Sequence, residues 1–570
     1  MLSPGHRKKD MMLPAESVLA RPPKSTFIRR YTDYHKRHYV LRLVNGREVD
    51  TAFPLDPPPG HDEASYEQAC REEAIHVAEE LLEDSATPPI NADQFTRLCE
   101  RLAVIDLFGD GPPVPPWGDA ATVAAVKQAI NAGAPSLPLA YQTGYVMPLL
   151  QNLDSVLRQA GDSIEPLAGA VYEHAPGGAV QPELQRFLAV ISNLYRSFLS
   201  RTKRAAANIP FAMPQDPPLA VFLHSGQDGP FTIPSDDTQQ LFGGDVGVVS
   251  LPSTYRDHPV LWASLAHETG GHDVTHADAG LLPELAAGVQ TLFGGGPVHA
   301  GRRPTSGQLQ GLLWSYWMDE ASADVYGLLN IGPSFAHNLA AFFAALNNRA
   351  VGLPIPSLRT RSGHPANDPA LDVHPTDILR LHLAIGVIEQ LSGLAQTTRD
   401  AYVSAVQALA QRCAQGASTV EIQGHIAIQR DRWLPINDSL PLSGMQDAAR
   451  SVGAYIATAR LQALGGHSIQ EIETWDDADE LTARQIADTF ARGDSVVDMG
   501  DDAQLLAGAT LALVTQPDLY DQATRLLTAA LDRSYATDPI WGASIRDPMY
   551  VRYQFLPPGS PKLRYALRVR

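Results

Sequence analysis

The stretch LAHETGGHDVTHAD, residues 265–278, holds three histidines and three acids in fourteen positions. Imidazole and carboxylate groups bind divalent metals and transfer protons near neutral pH. His267 and Glu268 match the start of the pattern HExxH, in which two histidines four apart on a helix bind one metal ion, but His272 follows His267 by five residues instead of four. The stretch therefore predicts a metal site whose spacing needs a structural explanation.

The five-residue spacing is incompatible with a regular α-helix. Residues four apart lie about 40° apart around a helix axis, whereas residues five apart lie about 140° apart. His267 and His272 can face one ion only if the helix between them bulges. Gly270 and Gly271 lie between them, and each costs about 1 kcal/mol of helix propensity while permitting a π-type turn. We expect an irregular helix, although the glycines also fit a helix that ends at Gly270.

A third ligand is available in DEASAD, residues 319–324, which lies in a helical pattern. Glu320 and Asp324 are four residues apart and share one helix face. A catalytic zinc ion takes three protein ligands and keeps one position for water. We expect Glu320 to complete the ligand set while Asp324 accepts the outward N–H of a ligating histidine.

HETGGH resembles the HExxGH zinc motif of the dipeptidyl peptidase III family, within the wider gluzincin-like class, and DEASAD resembles that family's EExxAE motif with aspartate at both outer acids. The match covers about residues 265–326. The resemblance implies one Zn²⁺ per chain, with the ligands His267, His272 and Glu320. It also implies that Glu268 activates the water and that the outer acids, Asp319 and Asp324, support the ligands.

A zinc hydrolase also needs a hydrogen-bond donor for the oxyanion that forms on its substrate. The first candidate is His374, which precedes Pro375 at a predicted helix start. Tyr326 and Arg380 are the alternatives. The predicted strand at 244–251 is a candidate for binding extended peptide by β-augmentation, and an ordinary structural strand is the other interpretation.

Two other interpretations of the motif stay open. His272 and His276 are four apart with Asp278 close by, and they form a rival metal set on a continuous helix. That set leaves Glu268 and residues 319–324 without a role, and His276 and Asp273 can instead support the ligands. The second interpretation is a solvated polar cluster at a helix end.

Composition restricts the partners. The 570-residue chain carries a formal net charge of −19, which disfavours nucleic acid and anionic membranes. No stretch of about 18 apolar residues and no apolar signal segment is visible. Its three cysteines are widely spaced, which is typical of a reducing compartment. We expect a cytoplasmic protein whose partner is a peptide or small protein substrate, with the oligomeric state left undefined.

The helices and strands expected from the sequence indicate a mostly helical α+β protein. Asn45-Gly46 between two short strands predicts a β-hairpin. We expect strands at 217–224 and 244–251, and a helix capped by Asp257 that runs into His267. The predicted regions are an N-terminal tail and hairpin (1–60), a helical region (61–204), the zinc-peptidase module (205–395) and a helical region ending in short strands (396–570).

The sequence therefore predicts a zinc metallopeptidase that hydrolyses peptide bonds. One alternative is a zinc hydrolase that acts on a non-peptide amide or ester. The other is a catalytically silent, partner-binding protein that keeps a metal for stability. Glu268 argues against the latter because a structural metal site needs no general base.

Overall fold

The fold is known from a computed structural model. It describes residues 27–32, 38–44, 47–51, 90–107, 120–160, 164–177, 181–199, 204, 209, 216–223, 229–296, 298, 303–362, 370–429, 432–496, 499–538 and 540–541.

The described strands form three small sheets. The N-terminal sheet is antiparallel in the order β1-β2-β3, the central sheet has the order β4-β6-β5, and the third is a hairpin of β7 and β8. In the central sheet β4 runs parallel to β6 and β5 runs antiparallel to it. The strands are β1 (Phe27–Thr32), β2 (His38–Val44), β3 (Arg47–Thr51), β4 (Leu219–Leu223), β5 (Phe231–Ile233), β6 (Val248–Pro252), β7 (Thr419–Gln429) and β8 (Arg432–Pro441).

Helices make up most of the described chain. Two of them contain a π turn: α3 continues through Leu139–Tyr141, the π turn Gln142–Val146 and Met147–Ala160, and α7 through Leu265–His267, the π turn Glu268–Asp273 and Val274–Ala277. The other helices are α1 (Ala92–Ala103), α2 (Ala120–Gly133), α4 (Ile164–Tyr172), α5 (Gln181–Leu199), α6 (Ser235–Phe242), α8 (Leu281–Leu292), α9 (Ser306–Tyr316), α10 (Met318–Ile331), α11 (Ser334–Val351), α12 (Asp377–Ile388), α13 (Gln396–Cys413), α14 (Leu442–Thr458), α15 (Ile469–Ile472), α16 (Asp477–Arg492), α17 (Asp502–Thr515) and α18 (Tyr520–Thr537).

This architecture confirms the predicted mostly helical α+β class. The buried apolar side chains form one continuous core that extends from Phe95 on α1 to Trp541 near the end of the described chain. The core thus includes residues from three of the four predicted regions, and the division of the chain into those regions stays a prediction.

Several local predictions are confirmed and others are corrected. The hairpin around Asn45-Gly46 is present as β2 and β3, with Val44 opposite Arg47. The helix predicted to start at Asp257 is wrong: a 3₁₀ segment, Pro259–Ser264, precedes the α-helical turn. The 11- and 10-residue strands β7 and β8 were not predicted. The short strands predicted at the end of the 396–570 region lie outside the described residues.

Helix α7, called the motif helix below, packs against α10 through its π turn. An added Cβ on Gly271 lies 2.3 Å from Cα of Ala323 on α10, and one on Gly270 lies 2.5 Å from Nδ2 of Asn330. The two glycines therefore allow the backbones of the two helices to approach more closely than any larger residue permits.

No described helix is both long enough and apolar enough to cross a membrane.

Gly271→Ala tests this close approach. We expect a loss of about 1–3 kcal/mol in the free energy of unfolding, because overpacking against the backbone at Ala323 outweighs the propensity gain of alanine. The matched control is Gly444→Ala on α14, where an added Cβ meets nothing within 4 Å. Urea unfolding measures both variants, and a Gly271→Ala protein as stable as the control contradicts the packing argument.

Candidate metal centre

The π turn brings the two motif histidines to one point. His267 Nε2 lies 3.2 Å from His272 Nε2, although the residues are five apart in the chain. Glu320, from the first turn of α10, reaches the same point: its Oε2 lies 3.2 Å from His267 Nε2, and its Oε1 lies 3.5 Å from His272 Nε2. We call these three residues the metal triad, and among the described residues they form the one such group able to hold a metal ion.

The spacing of the triad is compatible with a tetrahedral metal ion such as zinc. Zn–N bonds of about 2.0–2.1 Å at tetrahedral angles separate neighbouring ligand atoms by roughly 3.3 Å. The two imidazole nitrogens lie 3.2 Å apart, and one Glu320 oxygen faces each of them, at 3.2 and 3.5 Å, so these contacts lie close to that separation. Two imidazole nitrogens and one carboxylate also match the donor set of catalytic zinc sites, which leave a fourth position for water.

Carboxylates fix the tautomer of both histidines. His267 Nδ1 donates to Asp324 Oδ1 at 3.0 Å, and His272 Nδ1 donates to Asp319 Oδ1 at 3.0 Å. In the neutral ring this contact keeps the proton on Nδ1 and the lone pair on Nε2, which faces the triad. Asp319 and Asp324 thus each contact one histidine of the triad, and their role in supporting metal ligands stays a prediction.

Asp324 is itself held by a buried arginine on α12. Arg380 donates through Nε and Nη2 to the two carboxylate oxygens of Asp324, both at 2.7 Å. The guanidinium group also stacks over the ring of Phe343, with 4.7 Å between its central carbon and the ring centroid. This bidentate pair prevents Asp324 from rotating away from His267, and it joins α10 to α12 behind the triad.

Glu268 lies beside the triad and contacts the central sheet. It is 6% exposed, and its Oε2 accepts a hydrogen bond of 2.9 Å from the hydroxyl of Thr232 on β5. The same hydroxyl lies 3.0 Å from the backbone carbonyl oxygen of Glu268, a second acceptor for its single proton. Glu320 and Asp319 are the main groups that raise the pKa of His272, and the Glu268 carboxylate adds a smaller effect in the same direction. The carboxylate is therefore oriented by β5 and close to the metal triad.

His374 completes the site from the segment before α12. Its Nε2 lies 3.2 Å from Glu320 Oε1, and its Nδ1 donates to Asp372 Oδ1 at 2.7 Å. The side chain is 44% exposed, so it borders both the triad and solvent. Tyr316 and Trp317 fix this segment by donating to the backbone carbonyls of Leu371 and Asp372.

The charges of the site are mutually dependent. Burial lowers the pKa of His272, but Glu320 and Asp319 outweigh burial and raise that pKa to about 9. Burial also lowers the pKa of His374, whereas Glu320 and Asp372 raise it to about 10. Burial raises the pKa of Glu320, yet His374 and His272 hold it well below its usual range. The site thus stabilises an ionised Glu320 and favours positive charge beside it.

The geometry contradicts the rival set of metal ligands. His272 directs its Nε2 to the triad, and both ring nitrogens of His276 face carboxylates, Asp236 at 3.1 Å and Asp319 at 3.3 Å. Asp278 forms a bidentate ion pair with buried Arg204, at 2.9 and 2.7 Å. Asp278 is therefore not available to a metal, and the set of His272, His276 and Asp278 is wrong.

The structure also argues against the two alternative oxyanion donors. Tyr326 is fully buried and its ring packs edge-on against Phe198, so a substrate cannot reach its hydroxyl. Arg380 contacts His267 at Nδ1, the side of the ring that faces away from the triad. The structure thus argues against a catalytic role for Tyr326 and Arg380, whereas His374 does lie at the triad.

The predicted peptide-binding strand is wrong as well. The strand found in the predicted stretch 244–251 is β6, which begins at Val248. It is the central strand of its sheet, with β4 on one side and β5 on the other. A strand paired on both sides cannot accept a further strand. Among the described strands of this sheet, β5 is the edge strand that lies against Glu268.

Sequence reasoning missed several partners of the site. Asp372, Thr232 and Asp236 were not singled out, and Arg380 was assigned the wrong role. Asp372 is two residues before His374, and this short spacing was a usable signal because an aspartate often hydrogen-bonds to a backbone two residues on. Thr232 and Asp236 carry no comparable signal, since their partners are 36 and 40 residues away.

No protein-family model, no curated protein and no solved structure matches this chain.

Asp324→Ala tests the support behind His267. We expect the free energy of unfolding to fall by about 3–5 kcal/mol, because the change leaves the buried Arg380 charge without its partner. The control is Asp518→Ala, which removes an exposed ion pair with Arg97 and should cost about 0–1 kcal/mol. Chemical denaturation compares the two, and equal losses contradict the role of the buried pair.

Proposed function

We propose that this protein is a zinc-dependent hydrolase that cleaves peptide bonds. The observation that carries the proposal is the convergence of His267, His272 and Glu320, with Glu268 beside them. A zinc ion held by these ligands supplies Lewis acidity and a water that ionises near neutral pH. The proposal also draws on the likeness of the two motifs to the dipeptidyl peptidase III family.

Glu268 has the position and environment of a general base. Thr232 hydrogen-bonds to Oε2 of its carboxylate, and Oε1 accepts no hydrogen bond from the described residues. That oxygen can take a proton from the attacking water and later deliver it to the leaving amine. A site that served stability alone needs neither this carboxylate nor a side chain that orients it.

His374 is the proposed donor to the oxyanion. Its Nδ1 donates to Asp372, and the neighbouring carboxylates raise the pKa of the ring to about 10, so the imidazolium form also presents an N–H at Nε2 at the solvent-facing border of the triad. A donor in this position stabilises the negative charge that develops on the scissile carbonyl oxygen. Arg380 and Asp324 take no part in proton transfer and act by fixing the ring of His267.

Elemental analysis and peptide-library cleavage test the general base. We expect about one zinc per chain in the parent and in Glu268→Gln, because glutamine removes the base and leaves all three ligands. Cleavage by Glu268→Gln should fall by about 10²–10⁴-fold. Glu389→Gln, at an exposed glutamate after α12, is the matched control and should cleave like the parent.

Three outcomes contradict the proposal. A parent chain that binds no zinc removes its basis, and equal cleavage by the parent and Glu268→Gln removes the base. Zinc binding with hydrolysis of esters or non-peptide amides alone supports the metal centre but overturns the assignment to peptides.

A separate variant tests the oxyanion donor. We expect His374→Phe to retain its zinc, because the ligands are unchanged, and to lower kcat by about 10²–10³-fold with a smaller effect on KM. The control is His467→Phe, at a histidine whose ring pairs with Glu471 away from the triad. A His374→Phe protein with the kcat of the control rules out His374 as the donor.

A further inference from the structure

A short segment next to the motif helix contacts it at three successive points. This clamp segment, residues 232–236, comprises the end of β5 and the start of α6. Thr232 donates to the Glu268 carboxylate at 2.9 Å, and the backbone N–H of Ser235 donates to Asp273 Oδ1 at 3.1 Å. Its last residue, Asp236, reaches Nδ1 of His276 at 3.1 Å.

The contact at His276 continues to the metal triad. The second ring nitrogen of His276 lies 3.3 Å from Asp319 Oδ2, and Asp319 Oδ1 accepts from His272 Nδ1 at 3.0 Å. The four side chains Asp236, His276, Asp319 and His272 therefore form an unbroken chain of contacts. It begins on α6 and ends at a predicted metal ligand.

His276 has a specific effect on Asp319. The Asp319 side chain is 44% exposed, so without a second partner its carboxylate can rotate and exchange its contact with His272 for water. His276 holds Oδ2, which leaves Oδ1 in the direction of His272. Asp236 in turn holds the far side of the His276 ring. His272 lies in the π turn directly after two glycines, and Asp319 is the hydrogen-bond partner of its Nδ1.

The two histidine ligands are therefore supported in different ways. Asp324, behind His267, is locked by the buried guanidinium group of Arg380. Asp319, behind His272, is held by an imidazole that is 21% exposed and by the clamp segment. The second arrangement makes the position of His272 depend on how α6 is placed against the motif helix.

We propose that His276 and Asp236 are positioning residues for His272, acting through Asp319, and that the clamp segment thereby sets the metal affinity of the site. The inference rests on the proposed zinc centre. Neither residue touches the substrate or the ion. Loss of an outer hydrogen-bond partner of a metal ligand typically weakens metal binding by about 10–100-fold.

The test is zinc affinity, measured on the full chain by competition with a chromophoric chelator. We expect His276→Ala to bind zinc about 10–100-fold more weakly than the parent. Asp236→Asn should also bind zinc more weakly than the parent. The double variant should lose little more than His276→Ala, because Asp236 acts only through His276. His276→Gln, which can still donate one hydrogen bond to Asp319, should recover part of the loss.

The matched control is His467→Ala, which removes a histidine–carboxylate pair of 3.2 Å away from the site. It should bind zinc like the parent. Thermal unfolding of each metal-free protein separates an effect on the position of His272 from a general loss of stability. The visible spectrum of the Co²⁺-loaded His276→Ala protein should differ from that of the Co²⁺-loaded parent, because His272 is displaced.

The outcomes distinguish the two proposals. A parent that binds no zinc overturns the proposed function and this inference with it. If the parent binds zinc, and His276→Ala and Asp236→Asn bind it as tightly as the parent does, only the inference is overturned. Weaker binding that appears solely in variants with a lowered unfolding temperature also overturns it.

Discussion

The site depends on one irregular turn of helix. The π turn at Glu268–Asp273 widens the motif helix by one residue, so that two imidazoles five places apart direct their Nε2 atoms to the same point, 3.2 Å from each other. The turn is stable because α10 packs directly on Gly271, where no side chain intervenes. The same contact places Glu320, two residues from the start of α10, against both histidines. Bulge, helix packing and metal triad are thus one structural feature.

The support of the site is asymmetric. Behind His267 lies a fully buried ion pair of Asp324 and Arg380, which must form together because either charge alone is costly in the interior. Behind His272 the partners Asp319 and His276 are partly exposed, and the chain of contacts ends at Asp236 on α6. Glu268 is held from the same side by Thr232. The rigid half of the site is therefore attached to the helical core, and the half that bears the proposed base is attached to the small central sheet.

Acidic residues of similar appearance in the sequence have different roles. Asp278 and Asp324 each pair with a buried arginine, but Asp278 faces Arg204 and Asp324 faces Arg380 beside a metal-triad histidine. Asp319 differs from both, since its two oxygens each meet an imidazole. Which acid supports a ligand is decided by the helix face on which it lies and by the elements that pack against that face.

The sequence alone determined the local features. Two glycines between His267 and His272 predicted the bulge, the four-residue spacing of Glu320 and Asp324 predicted a shared helix face, and Asn45-Gly46 predicted a hairpin, because each depends on neighbours within one or two turns of chain. Tertiary structure alone decided that β6 is central and β5 is an edge strand, that Arg380 holds Asp324 while Tyr326 lies in the core, and that Asp236 reaches His276. These contacts join residues far apart in the chain, and they depend on how whole elements bury their apolar faces, which local spacing does not specify.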